Sequence, residues 1–255
     1  MSGGRLGGRA SPYAGKGVWS LAEASDRIRL GLLTRSYDAE VAADSPIARW
    51  RLDETSGTTA SDSIGSNNGT YAGATLDQAP LINSGRSILL SGSGSGITIP
   101  DASNLSFPSG SFSLEVWFAT SGTSAAAFII KDTSGSIFGE YELVINSSGN
   151  IYCTVRPGNS GSPNVTATAG NTFNDGARHH VVAVFVPNTT LKLYVDGVVC
   201  ASATHSIASS FDSTSSLRLG RSGGGNYLAG NLDEVALYAS ALSADRVLAH
   251  YNAGL

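Results

Sequence analysis

FSLEVWF, residues 112–118, alternates apolar Phe112, Leu114, Val116 and Phe118 with Ser113, Glu115 and Trp117. Successive side chains on a β-strand point to opposite faces, so the first set forms one apolar face and the second set the other. Strand-like runs follow in quick succession: YELVIN, GNIYCTV, HHVVAVFV and LKLYVDG, then SLRLG and LDEVALY. Asp196-Gly197, between LKLYV and VVCASA, is a two-residue hairpin signal, because both central positions of such a turn need positive φ. Asp175-Gly176 and Asn68-Gly69 mark further turns. Upstream, SGSGSG at 91–96 is low in complexity and separates SILL from ITIP, so it reads as a loop. Many short antiparallel strands with no helices between them predict an all-β, two-sheet jelly-roll sandwich.

Two segments depart from this pattern. After the last strand, SALSADRVLAHYNAG predicts a short C-terminal helix, with Ser243 as N-cap, Asp245 in the first turn and Gly254 at the end. Near the N-terminus, GVWSLAEASDRIRLG (17–31) predicts another. Ser20 and Glu23 form a capping box, Gly31 is the stop, and Leu21, Ala24 and Ile28 make a modest apolar stripe behind Trp19. About ten helical residues are not stable in isolation, so this helix needs a partner. The domain division expected is therefore an arm and anchoring helix at 1–35, then a sandwich at 36–255.

Charge follows the same division. Residues 1–37 hold six basic and two acidic residues, net +4; the remainder holds ten basic and eighteen acidic, net −8. Six cations spread over 37 residues are too dilute for a nucleic-acid claim, and a protein-docked or solvated arm is the expectation. The first 25 residues are Gly/Arg/Ser-rich, lack an apolar core segment, and do not read as a secretory leader. The longest apolar runs, AAAFII and VVAVFV, are too short to span a membrane. Two cysteines, Cys153 and Cys200, each lie in a strand-like run and read as buried thiols, with a single disulfide as the alternative.

Catalytic patterns are absent. Retaining glycoside hydrolysis needs two carboxylates about 5 Å apart, which one strand supplies at i and i+2 or i+4. Glu115 stands alone in its strand. Glu140 and Glu142 have the spacing but sit at a strand entrance, and the adjacent Asp233 and Glu234 are expected on opposite faces. His179 and His180 are likewise expected to diverge; His205 and His250 complete the set, and none shows zinc-type spacing with the cysteines. GRSGGGNYLAG (220–230) is glycine-rich but joins two strands, unlike a helix-opening phosphate loop. The expectation is a protein that is not an enzyme.

Several segments, in order, resemble one family. SPIARWRLDETSGTTASDSIGSNNGTYAG (45–73), FSLEVWF, YVDG, LGR and GNLDEVALYASALSADRVLAHYNAG resemble the laminin-G-like domains of the concanavalin A-like jelly-roll superfamily. The resemblance spans roughly residues 36–255 and implies two curved antiparallel sheets packed face to face. It also implies a structural calcium at Asp62, Asn68 and Asp233, hard oxygen ligands of the kind that ion takes. Asp233, Val235 and Leu237 are expected on one strand face. The alternative has Asp62 capping a turn and Asp233 accepting backbone hydrogen bonds. Sugar sites on such sandwiches use exposed aromatics and loop polar groups, so Tyr227 and Trp117 are the ligand-binding candidates.

GVWSLAEASDRIRLG resembles a Trp-containing segment of bacteriophage tail and other structural proteins, although GLLT follows it here where Trp-Pro is typical. That resemblance implies a virion component anchored through Trp19, Leu21 and Ile28, with the sandwich outward, touching other virion proteins and a cell-surface glycan. Virion proteins sit on symmetric lattices, so a homo-oligomer is expected, built without a heptad coiled coil. The alternative is a carbohydrate-binding module of a bacterial secreted or surface protein.

Overall fold

The computed structural model describes residues 35–132, 139–157, 165–210 and 212–255. Residues Tyr37–Leu255 form one unit. The helix expected within 17–31, with Trp19, Leu21 and Ile28, lies outside the described residues.

The described residues open with helix α1 (Tyr37–Ala43), which lies in the stretch expected to begin the sandwich. Strands β1 (Ala48–Trp50), β2 (Thr59–Ala60), β3 (Gly69–Ala72) and β4 (Thr75–Gln78) follow. Next come β5 (Ser87–Ser91), β6 (Gly96–Ile99), β7 (Phe112–Thr120) and β8 (Ala126–Asp132). After them run β9 (Gly139–Ile145), β10 (Ile151–Val155), β11 (Val165–Thr168) and β12 (Arg178–Val186). The chain finishes with β13 (Thr190–Val195), β14 (Val198–Thr204), β15 (Leu217–Leu219), β16 (Ala229–Tyr238) and helix α2 (Ala244–Gly254).

The strands form two eight-stranded sheets. The first runs β14-β13-β12-β7-β16-β5-β4, with β1 also paired to β16; the second runs β11-β10-β9-β8-β15-β6-β3-β2. Every pairing is antiparallel. The fold is a jelly-roll sandwich with one short helix on its N-terminal side and one at its C-terminus.

The alternation in 112–118 does what period two requires. Phe112, Leu114, Val116 and Phe118 enter the main core between the sheets, with Leu143, Phe185, Leu217 and Leu237 among its members. Trp117 belongs to a second apolar cluster on the outer face of the first sheet, with Val182 and Tyr238, capped by Tyr37 and Val41 of α1 and Val247 and Ala253 of α2. The β13–β14 hairpin turns at Asp196 (φ 52°) and Gly197 (φ 77°), both left-handed, as expected for Asp-Gly. Ser243 caps α2, its side chain accepting from the Arg246 N–H.

β16 departs from the expected regularity. Its first part, Ala229–Leu232, pairs with β5, and its second, Val235–Leu237, pairs with β1. Between them the ladder to β7 shifts register, and Glu234 takes a left-handed φ of 50°. This bulge corrects the expected alternation. Leu232, Val235 and Leu237 face the main core, whereas Asp233 lies opposite Trp117 and so belongs to the outer face.

Candidate functional site

Three polar groupings stand out, and they differ in how completely their atoms are satisfied. The first lies under the two helices. Glu115 leaves the outer face of β7 and is fully buried. Its Oε1 accepts from Tyr37 Oη (3.0 Å), His180 Nε2 (2.7 Å) and His250 Nδ1 (3.1 Å). Its Oε2 accepts from Tyr238 Oη and from the same His250 nitrogen. His250 Nε2 faces Asp44 Oδ2 at 2.8 Å. With a carboxylate against each ring nitrogen, His250 is held as the imidazolium, which donates from both. Burial opposes that charge, but Glu115 and Asp44 outweigh it and raise the His250 pKa to about 8. Burial would also raise Glu115; its two histidines overcome this and hold it well below the usual carboxylate range. Arg246 of α2 adds ion pairs to Glu40 and Asp44. His180 and Glu115 are 65 residues apart, and His250 and Glu115 are 135 apart. The grouping therefore left no local trace in the sequence, where Glu115 reads as solitary.

This arrangement seals Trp117. The indole is fully buried, edge-on to Tyr37 and stacked with Tyr251, and a Cβ added at Gly254 would stand 2.4 Å from its Cζ2. Trp117 is thus a packing residue, and its candidacy for ligand contact is withdrawn.

The second grouping holds the expected calcium ligands. The Asp62 carboxylate accepts from the backbone N–H groups of Arg49, Ile64 and Asn67 and from Asn67 Nδ2, all within 2.8–3.1 Å. Burial alone would raise its pKa; these donors lower it. Asn68 Oδ1 accepts from the Asp62 N–H at 2.9 Å. Asp233 stands in a separate hydrogen-bonded group: Oδ2 accepts from the Leu81 N–H, and Oδ1 is buried without a partner among the described residues. Burial, then the adjacent Glu234, push its carboxyl well above the ordinary range. Arg49 pairs with Glu234 and Asp38, and Glu234 itself is raised by burial to about 7. The three residues do not fit a calcium shell. Asp62 faces N–H donors where a cation needs open oxygens, and among the described residues no group of three or more His, Cys, Asp or Glu side chains is arranged to hold a metal. Asp62 is the centre of a turn.

The third grouping is at the far end of β7, where three loops meet. The Ala229 carbonyl accepts from Thr120 Oγ1 at 2.6 Å, the Leu228 carbonyl from the Gly92 N–H at 2.9 Å, and the Asn226 carbonyl from the Ala127 N–H at 3.2 Å. Tyr227 is half-buried here and lines a crevice of about 50 Å³ with Thr120, Gly122, Ser124 and Leu228. Thr120 and Ala229 also line an open groove of about 370 Å³, together with Leu89, Ser121 and Asn231. Leu89 is 39% exposed. Of the two aromatic candidates, only Tyr227 reaches a surface that a ligand can meet.

The remaining candidates are neutralised where they stand. Glu140 pairs with Lys131, and Glu142 pairs with Arg156. His179 and His180 diverge as expected, His179 bonding Asp196 and Asp175. Cys153 and Cys200 are separate free thiols, the first buried and the second half-buried. No described helix is long and apolar enough to cross a membrane.

A two-sheet antiparallel jelly-roll sandwich of this kind belongs to the concanavalin A-like class of folds. The family profile of the concanavalin A-like lectin/glucanases superfamily matches residues 91–248, and the chain belongs to that superfamily. No curated protein matches the sequence. Among solved structures, the binding domain of Paraclostridial Mosquitocidal Protein 1 is similar, with TM-score 0.65 and 13% identity over 82% of this chain and 52% of that one. The receptor-binding domain of botulinum neurotoxin C/D mosaic serotype gives TM-score 0.62 and 15% identity, over 82% and 51%. The binding domain of botulinum neurotoxin DC in complex with SialylT gives TM-score 0.59 and 12% identity, over 83% and 52%. The chain spans about half the length of these neighbours, and at such identities the likeness is one of fold.

Proposed function

We propose that the chain is a bacteriophage virion component whose laminin-G-like sandwich is displayed for adhesion to a cell-surface glycan. Tyr227 carries the adhesion part. An aromatic ring set among hydroxyl groups beside a crevice matches the chemistry of a sugar, whose C–H face packs on the ring while its hydroxyls find polar partners. Superfamily membership and the toxin binding domains of like fold support a binding role. The virion part rests on the segment at 17–31 and its resemblance to phage structural proteins, with the net +4 arm before the net −8 remainder. On this reading residues 1–35 contact other virion proteins, and the particle's symmetry makes the chain a homo-oligomer.

The second reading, a carbohydrate-binding module of a secreted or surface protein, is favoured by the toxin neighbours. Mass spectrometry of purified particles against culture medium separates the two: the protein is expected in the particle, and in the medium alone if the second reading holds. Deleting residues 1–35 is expected to abolish incorporation. For adhesion, the full chain on a glycan array is expected to bind, and Tyr227→Ala to lose at least tenfold, about 1.4 kcal/mol. Unchanged binding by that variant overturns the placement of the site.

A further inference from the structure

Tyr227 does not stand alone at the loop end. The guanidinium of Arg221 lies over its ring, 5.5 Å from the centroid. The arginine stem runs along the backbone of Gly96: a Cβ added there would stand 2.5 Å from Arg221 Cγ. The side chain is thus positioned from both sides, by a ring and by a residue with no side chain of its own. Arg49, Arg51, Arg86, Lys131, Arg156 and Arg246 all sit in ion pairs. Arg221 has no hydrogen-bond or ion-pair partner among the described residues, and its Nε is buried without an acceptor.

The surroundings make this cation consequential. The three loops that meet here, SGSGSG (91–96), SGTSA (121–125) and RSGGGNYL (221–228), contain no Asp or Glu. The neighbouring 174–177 turn, tied to this end by the Gly176 N–H to the Thr120 carbonyl and by Asn174 Nδ2 to the Gly122 carbonyl, brings one carboxylate, Asp175, which is bonded to His179; the three loops around Arg221 carry none of their own on a body of net charge −8. An arginine fork placed over an aromatic ring is pre-organised for an oxyanion, and a charge-assisted bidentate pair is about twice as strong as a neutral hydrogen bond.

We infer that Arg221 and Tyr227 form a subsite for an acidic sugar residue, the guanidinium pairing with its carboxylate or sulfate while the tyrosine packs the ring. The assignment rests on the glycan-adhesion reading and narrows it to anionic glycans. The serine and threonine hydroxyls of the crevice serve the neutral part of the chain.

The test uses the full-length protein on immobilised 3′-sialyllactose, a glucuronate-terminated disaccharide, a 6-sulfated galactoside and unmodified lactose. Wild type is expected to bind at least one acidic probe about tenfold or more above lactose, with the difference shrinking as salt rises. Carboxylate and sulfate probes separate the two sources of charge. Arg221→Gln is expected to remove the preference for acidic probes, lowering them about tenfold more than lactose, while Arg221→Lys recovers part of the difference. If wild type treats acidic and neutral probes alike, or Arg221→Gln lowers both equally, the acidic subsite is overturned and the adhesion reading stands. If no probe and no array glycan binds, both are overturned. A melting temperature for Arg221→Gln equal to wild type separates loss of the subsite from loss of fold.

Discussion

The two ends of β7 solve opposite problems. At the end near Ser113, Glu115 is buried beneath α1 and α2, and both its oxygens accept several donors. At the other end Arg221 is half-exposed, with a buried Nε that no described residue satisfies. About five residues separate Glu115 from Thr120, roughly 17 Å along a strand. One end thus holds a carboxylate whose partners come from distant parts of the chain, and the other a cation whose Nε has no partner among the described residues. The first holds structure; on the proposal above, the second is where a ligand has something to complete.

The sharpest way to break the contrast is Glu115→Ala. It leaves two tyrosine hydroxyls and two histidines facing a buried gap, and it is expected to cost about 3–5 kcal/mol in urea denaturation. Glycan binding per folded molecule is expected to be unchanged. Gly254→Ala probes the same end sterically. The added methyl meets Trp117, and overpacking of this kind costs about 1–3 kcal/mol, read as a lower melting temperature.

Next in size is pH. His250 is raised in the folded state, so its contribution is complete below about pH 6.5 and lost as pH rises through about 8. A shift of that size corresponds to up to about 2 kcal/mol. Glu234 adds a loss of the same sign, since a carboxyl raised to about 7 favours the folded state at low pH and ceases to as pH climbs from about 4.5 to 7. Glu115, lowered, works the other way, and its contribution disappears as the pH falls below about 4.5. Stability is expected to peak near pH 5 and decline toward pH 9, with the upper part of the decline flattened in His250→Gln. A peak above pH 8 contradicts the imidazolium. Smallest of all are Tyr227→Ala and Arg221→Gln, expected within about 0.5 kcal/mol of wild type, as for surface substitutions generally.

Legibility in the sequence follows the range of the interactions. Residues 112–118 declare a strand because alternation is local, and Asp196-Gly197 declares its hairpin because the backbone conformation is chosen by those two residues. Ser243 declares α2 for the same reason. YDAEVAA, by contrast, is seven residues long with only Tyr37 and Val41 as an apolar buried side, so α1 leans on its packing against the Trp117 cluster and on the ion pairs to Arg246 and Arg49. The bulge at Asp233–Glu234 was hidden because neither residue is a glycine, yet Glu234 takes positive φ. Its backbone is held by the change of partner strand and its side chain by Arg49. Tyr227 was legible as an aromatic in a polar loop, but Trp117 was not separable from it. Whether a ring on the outer face of a sheet meets solvent or a helix depends on residues 80 and 137 positions away, Tyr37 and Gly254.

The helices also set where load enters the molecule. Tyr37 begins α1, Gly254 ends α2, and Arg246 and His250 of α2 bond to Glu40 and Asp44 of the α1 segment. On the proposed reading, in which residues 1–35 anchor the chain and Tyr227 holds a sugar, tension runs between Tyr37 and the loops at Tyr227. The first bonds in that line are charged contacts between α1, α2 and β1, and the strand ladders of the first sheet lie behind them. Such a domain is expected to yield in stages, a short helical extension preceding strand separation in a force-extension measurement.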